Sequence, residues 1–360
     1  MLKQTQIKMT QYMSEVAAMN GLNSLSYKAG LAERFAVEPS VQQRLEKRIQ
    51  ESSAFLKQIN IVPVTEQKGD KLGLVVGSTI ASRTDTTQQD REPTDPSGLE
   101  ADNYEALQTN FDTYITYKKL DMWAKFPNFK TLFGNAIVQQ IALDRMMIGF
   151  NGITSAKTTD REANPRLQDV NVGWLQKYRE NAARRVMDYG KQDGKIVIGK
   201  GADYTNLDAL VYDAYQTLLD PWFVGSGDLV VLLGRGLLHD KKFPDMNRDN
   251  VPTEQVALNS LVAQKRVGAL PALDVPFFPE NSILITKLSN LSIYYQDGAR
   301  RRLVIDNPKR DRIENFESSN EAYVVEDYGA GCLIENIAFG EDAEDAPAHA
   351  LVLADGKGGK

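Results

Sequence analysis

An α+β fold is predicted for these 360 residues by three observations. The segment EPSVQQRLEKRIQESSAFLKQINIVPV, Glu38 to Val64, runs from helical spacing straight into a strand-like end. Leu107 to Tyr117 alternates apolar and polar residues as a half-buried strand does, and Phe129 to Asn151 carries the long apolar row of a core-facing helix.

The elements follow in chain order. Met9, Met13, Val16 and Ala17 fall at helical spacing before Gly21, and polar Asn23, Ser24 and Ser26 then break the pattern, so roughly the first 35 residues form a detachable segment. Ser40 and Gln43 have capping-box spacing, and Val41, Leu45, Ile49, Ser52, Leu56 and Ile59 keep one face, which predicts a docking arm. From Ile59 the texture turns to β: IVPV, then Lys71 to Ser82, then Leu107 to Tyr117, which at ~3.3 Å per residue extends roughly 35 Å. Between the last two lies Ser82 to Asn103, rich in turn formers and acids. Without apolar periodicity it packs no core of its own, so it is either disordered or held by a partner subunit.

Phe129, Phe133, Ile137 and Ile141 form one row of a helix of about 25 residues and about 37 Å, ending at Asn151-Gly152, with Gly134 a sign of close packing. Leu207, Leu210, Val211, Ala214 and Leu218 predict a second amphipathic helix capped by Thr205. The run LVVLLG between Asp228 and Arg235 reads as a buried strand, Glu254 to Ala263 as a helix, and Ile283 to Thr286 as a strand. Strands are then expected at Leu291 to Tyr295, Leu303 to Ile305, Tyr323 to Val325 and Cys332 to Phe339, with Asp297-Gly298 a hairpin turn. The end, from Gly340, is low-complexity and expected to be mobile.

Composition narrows the function classes. Hydrophobic residues make up 42% and charged ones 25%, ordinary globular usage with room for two domains. No apolar run approaches the ~20 residues of a membrane helix, and MLKQTQIKMTQ lacks the apolar core of a signal peptide, so folding in the cytoplasm with no membrane partner is expected. A single cysteine, Cys332, rules out an intrachain disulfide framework. A net charge of −6 argues against gripping nucleic acid over the whole surface; DNA nearby is contained, not read.

Candidate chemistry is thin. Gly194-KIVI-Gly199-Lys200 has phosphate-loop spacing, but Gly201 stands where Ser or Thr should hold magnesium, and the apolar filling suits a hairpin edge. His239 and His349 are the only histidines, too few for a histidine-rich metal site, so no metal and no cofactor is assigned. Cys332 sits in an apolar strand pattern and reads as a buried thiol; Glu326-Asp327 reads as a solvated or ion-paired surface. No catalytic residue is assigned. Arg300, Arg301 and Arg302 form the densest basic cluster, and Lys177, Arg179, Arg184 and Arg185 a second on an expected helix. Either touches DNA phosphates or a neighbour's carboxylates, or is a solvated face. Trp123, Trp174 and Trp222 read as packing anchors.

The wording of the chain adds to this. VEPS followed by QESSAFL and INIVPV, then Ile153 to Arg179 (ITSAKTTDREANPRLQDVNVGWLQKYR), Lys265 to Asp297 (KRVGALPALDVPFFPENSILITKLSNLSIYYQD) and Tyr323 to Glu335 (YVVEDYGAGCLIE), resemble in order the major capsid proteins of Peduovirus-type tailed phages. The resemblance implies the Hong Kong 97 capsid fold, with a long spine helix, a discontinuous peripheral domain, an axial α/β domain, an extended β-hairpin loop and an amino-terminal arm. Mapped on this chain, residues 1–60 are the arm, 61–120 the extended hairpin loop and 121–204 the spine helix with the first part of the peripheral domain. Residues 205–290 are the axial domain, 291–339 the second peripheral part and 340–360 a flexible tail. It implies self-assembly as hexamers and pentamers into an icosahedral virion shell enclosing double-stranded DNA, built in the host cytoplasm with a scaffolding protein that has protease activity and a portal complex. It also implies processing of the arm, with the aromatic of ERFAVEPS, Phe35, marking the junction. The alternatives are an encapsulin-like cellular compartment shell and an α/β enzyme.

Overall fold

The computed structural model describes residues 7, 10, 11, 33–76, 81–91, 97–123, 129–191, 194–237 and 266–340. The helix expected over Met9 to Ala17 lies almost wholly outside these residues, and the helix over Glu254 to Ala263, His239, His349 and the end after Gly340 lie outside altogether. In chain order the elements are β1 (Glu33–Ala36), α1 (Pro39–Glu51), β2 (Asn60–Val64), β3 (Lys68–Val76), β4 (Ser97–Glu105), β5 (Leu107–Asn110), β6 (Thr113–Thr116), α2 (Tyr117–Trp123), α3 (Phe129–Asn151) and α4 (Trp174–Asn181). There follow β7 (Val186–Met187), β8 (Ile196–Ile198), α5 (Leu207–Thr217), β9 (Leu229–Leu233), β10 (Arg266–Val267), β11 (Leu270–Asp274), β12 (Ile283–Lys287), β13 (Leu291–Gln296), β14 (Arg301–Asn307), β15 (Arg312–Val325), β16 (Gly331–Ile334) and β17 (Ile337–Phe339).

The chain divides into two compact units, Met1–Asn181 with Lys287–Tyr328 and Ala182–Thr286 with Gly329–Lys360. This moves three expected boundaries. Residues 182–204 and 329–339 belong with the second unit, because β16 pairs with β12 and β7 there. The hairpin is also narrower than residues 61–120, since β2, β5 and β6 are strands of the first unit's main sheet.

That sheet is organised around β15. Arg312 to Ser318 pairs with β14 on one flank and, at Arg312 to Asn315, with β6 on the other; further along, β13 and β5 flank the same strand. β13 and β14 therefore run end to end along one side of β15. Asp297-Gly298 does not close a hairpin between them: Gly298, at φ 72°, supplies only the jog between two strands sharing a partner. The true hairpin joins β14 to β15 through Asp311, at φ 48°. Outside β13 and β14 lie β2, parallel to β13, and β1, antiparallel to β14.

The strand expected over Leu107 to Tyr117 keeps its alternation but is interrupted. Phe111 and Asp112 break it because the Asp112 carboxylate takes the Glu317 N–H at 3.1 Å, and Tyr117 already opens α2. Nor does the capping box form at α1. Glu38 occupies the cap position without a side-chain bond, Pro39 starts the helix, and Gln42, Glu46 and Ile49 are the buried residues.

α3 is 23 residues long, about 35 Å at 1.5 Å per residue. Gly134 has open space around it, whereas Gly149 is the tightly packed glycine: a Cβ there would lie 2.2 Å from the Trp174 ring. Trp174 is fully buried, donates its indole N–H to the Ser292 carbonyl at 3.0 Å, and packs edge-on to Phe55, Phe150 and Tyr323. Gly149→Ala must push the ring or the helix aside, so a loss of about 1–3 kcal/mol is expected in urea unfolding, as for other overpacked cores. An unchanged midpoint would show that the cluster has slack.

In the second unit the strand order is β10-β11-β9-β12-β16-β7, with α5 packed on it through Leu210, Val211 and Ala214. Asn206, not Thr205, caps α5, its side chain accepting from the Ala209 N–H at 2.8 Å.

Candidate functional site

The expected chemistry dissolves into structure. Cys332 is buried in β16 among the second unit's core residues, and burial pushes its thiol far up. Ile196 to Ile198 pair in parallel with β17 instead of forming a hairpin edge, and no helix follows to complete a phosphate loop; α5 begins only at Leu207. Glu326 accepts from the hydroxyls of Ser292 and Tyr294. Among the described residues no group of His, Cys, Asp and Glu could hold a metal ion, and no helix is long and apolar enough to cross a membrane. Trp222 is half exposed, so it is not a packing anchor like Trp174; the Trp123 side chain is outside the described residues.

Both basic clusters change character. Arg300 is fully buried, Arg302 donates to Asn315 at 2.7 Å, and only Arg301 of the three is exposed. Of the second group, Lys177 and Arg179 lie on α4 in the first unit, while Arg185 is buried in the second against Asp220 at 2.8 Å. Buried guanidinium groups are not available to phosphates.

Arg300 leads to the feature that sequence reasoning missed. Its Nη1 meets Glu46 at 2.6 Å and its Nε meets Glu317 at 2.7 Å. Glu46 also takes Arg145 at 2.6 Å, and Arg145 closes on Glu321 at 2.7 Å. Arg145, Arg300 and Glu321 are fully buried, and Glu46 and Glu317 nearly so. The network joins α1, α3, β15 and the jog before β14. Burial opposes charge on Glu46, but the guanidinium groups of Arg145 and Arg300 outweigh it and hold its carboxyl below the usual value. Burial likewise opposes charge on Glu317, where Arg300 and Arg302 prevail. One signal was legible: Arg145 stands four residues after Ile141 on the core-facing row of α3, a cation at a core position that demands carboxylate partners.

The second feature is the hairpin β3–β4. Its register runs from Lys68 opposite Glu105 to Val76 opposite Ser97, roughly 30 Å at ~3.4 Å per residue. The strand β4 therefore starts inside the segment expected to lack structure. The base is fixed: Lys71 donates to the carbonyls of Val325 and Glu326, the Ala106 N–H bonds Gln67 O at 2.7 Å, and Tyr104 packs edge-on to Tyr294 at 5.2 Å. Beneath it an open cleft of about 630 Å³ is lined by residues including Lys71, Tyr104, Lys177 and Tyr328, with neither His nor Cys in its wall. Between the strands, residues 81–91 are exposed but for half-buried Thr84, turned by Asp85, which accepts from Thr87. Two strands with no third partner are marginal in water.

Residues 8–337 match the family of phage major capsid proteins described as the P2 family. The chain is 49% identical to the capsid protein of Escherichia phage P2 over 357 residues, covering 97% of this chain and 99% of that one. Among solved structures it resembles the satellite phage P4 procapsid that includes the size determination (Sid) protein, with TM-score 0.77 and 49% identity over 94% of this chain and 99% of that chain. The capsid of an empty GTA particle shares the fold at TM-score 0.50 and 16% identity, covering 90% and 99%. The mixed helix-and-sheet architecture is thus the Hong Kong 97 capsid fold, and the protein is a structural component of a virion shell, not an enzyme. On these matches together, the chain belongs to the P2 family of phage major capsid proteins.

Proposed function

We propose that copies of this chain associate as hexamers and pentamers into an icosahedral shell enclosing double-stranded DNA, with the β3–β4 hairpin lying over a neighbouring copy. The hairpin carries this reading: its base is anchored and, among the described residues, the rest of its length has no third strand, so a neighbour supplies the missing surface. The net charge of −6 and the internal use of Arg185 and Arg300 suit a wall that contains DNA without adhering strongly to it. A scaffolding protein with protease activity and a portal complex are the further partners. Hydrogen exchange tests the reading: amides of residues 68–76 and 97–105 are expected to exchange fast in unassembled protein and at least about tenfold more slowly in shells, as local opening is suppressed. Equal rates in both states would show that the hairpin is complete within its own subunit.

Processing near Phe35 belongs to the same proposal. Phe35 lies in β1, a four-residue strand at the sheet edge and not a loose linker, while Val37 is buried and donates to Arg300 O at 3.0 Å. An edge strand this short opens readily, whereas the chain from Val37 onward is held. Intact mass spectrometry of DNA-filled particles is expected to give a chain starting between about Leu31 and Glu38, in keeping with preferential cleavage of weakly held termini. A chain starting at Met1 overturns it.

A further inference from the structure

β1 covers part of one strand edge. Its register runs from Glu33 opposite Val304 to Ala36 opposite Arg301, so among the described residues the outer edge of β14 is occupied over Arg301 to Val304. Beyond β1 the sheet has no further strand among the described residues. The strand beneath reads Arg301-Arg302-Leu303-Val304-Ile305-Asp306-Asn307, with Leu303 to Ile305 strongly β-forming. Laid antiparallel on a second copy of itself and centred on Val304, it sets Arg302 opposite Asp306, Leu303 opposite Ile305, and Val304 opposite Val304. Every pair matches in charge or in apolar character, and the pairing repeats itself under a two-fold rotation.

We propose that β1 is a removable guard, and that once it leaves, two copies of this chain join edge to edge through β14 over Arg302 to Asp306. This rests on reading the chain as a shell subunit, and on no particular cleavage site. The reason for a guard is physical. An open edge carrying Leu, Val and Ile templates pairing with any strand, so it needs cover until the right neighbour is in place. Val37, held at Arg300 O, marks where the cover ends, and a partner's strand meets it just beyond Arg301. The contact is isologous and adds backbone hydrogen bonds across a two-fold axis, a kind of joint distinct from the overlap of hairpins.

The test uses the full chain. Arg34→Pro with Phe35→Pro removes two N–H groups from β1 and releases the guard without proteolysis. Each chain also carries a reporter cysteine, Val304→Cys, because the residues opposite each other lie close enough to oxidise together. A disulfide-linked dimer is expected in the proline variant and is expected to be absent when β1 is intact. Register is checked by mixing Leu303→Cys chains with Ile305→Cys chains, both with the prolines: the mixture links and neither chain alone does. Adding Arg302→Asp abolishes the linkage, and Asp306→Arg in the same chain restores it. Circular dichroism and the urea midpoint confirm that each variant is folded. Should the folded proline variant give no dimer, or should the intact chain link equally well, the proposal is overturned. Linkage of Leu303→Cys chains to themselves would overturn it as well, since another register or occupant would then hold the edge. Imaging of shells from the parent chain reports on the shell reading separately.

Discussion

Glu46→Ala is expected to unfold the full chain at a much lower urea concentration, with a loss of about 3–5 kcal/mol, because two buried guanidinium groups each lose one of their two carboxylate partners at once, Arg145 keeping only Glu321 and Arg300 only Glu317. Among the described residues Glu46 is the carboxylate that joins Arg145 to Arg300, at 2.6 Å from each. Removing one partner from a buried ionic network costs more than the network itself contributes, since the remaining charges keep their desolvation penalty. Arg145→Ala is expected to fall in the same range, as buried Glu321 then loses its guanidinium partner and Glu46 keeps only Arg300. Glu46→Gln keeps the volume and one acceptor, so a smaller loss is expected. A midpoint within error of the parent for Glu46→Ala would show that the network contributes nothing to holding α1 on the sheet.

The same network sets an acid limit. The carboxyls of Glu46 and Glu317 are held below their ordinary value of 4.5 in the folded chain. As pH falls, the unfolded chain takes up these protons first. The stability they confer is therefore present above the ordinary carboxylate value and drains away as pH drops below it, through the lowered folded values. Urea midpoints measured from neutral to acid pH are expected to fall steeply in the parent and less steeply in Glu46→Gln. Parallel curves would remove Glu46 from the account.

Loss of the hairpin is the second large effect expected. Deleting Leu72 to Ala101 and joining Lys71 to Asp102 through a short Gly-Ser turn keeps the Lys71 and Tyr104 anchors and removes the length that projects. The subunit is expected to fold with a urea midpoint close to the parent, because a two-stranded ribbon contributes little to the core beneath it. Shells are expected to be absent by negative-stain microscopy and light scattering. Normal shells from this variant would sink the proposal that the hairpin holds neighbours together.

Much of the molecule is legible in the sequence. The row Ile137, Ile141 and its continuation fixes α3, the apolar run Leu229 to Leu233 fixes β9, and the pattern around Cys332 foretells a buried thiol, all because apolar side chains must leave water at the period of their element. The quoted blocks point to the capsid family, and the polar stretch after Ser82 marks a segment without its own core. The long strand β15 is a different matter. Of its 14 residues only Tyr323 to Val325 look like a strand, because the buried face before them carries Asn315, Glu317, Ser319 and Glu321 where a period of two should show apolar side chains. Those groups are buried because Arg145 and Arg300 neutralise the glutamates, and the partners stand at positions 46, 145, 300, 317 and 321, too far apart in the chain for any local pattern to join them. Hydrophobic periodicity, being local, is written in the sequence; which charge meets which is decided only when the fold brings distant segments together and removes the water between them.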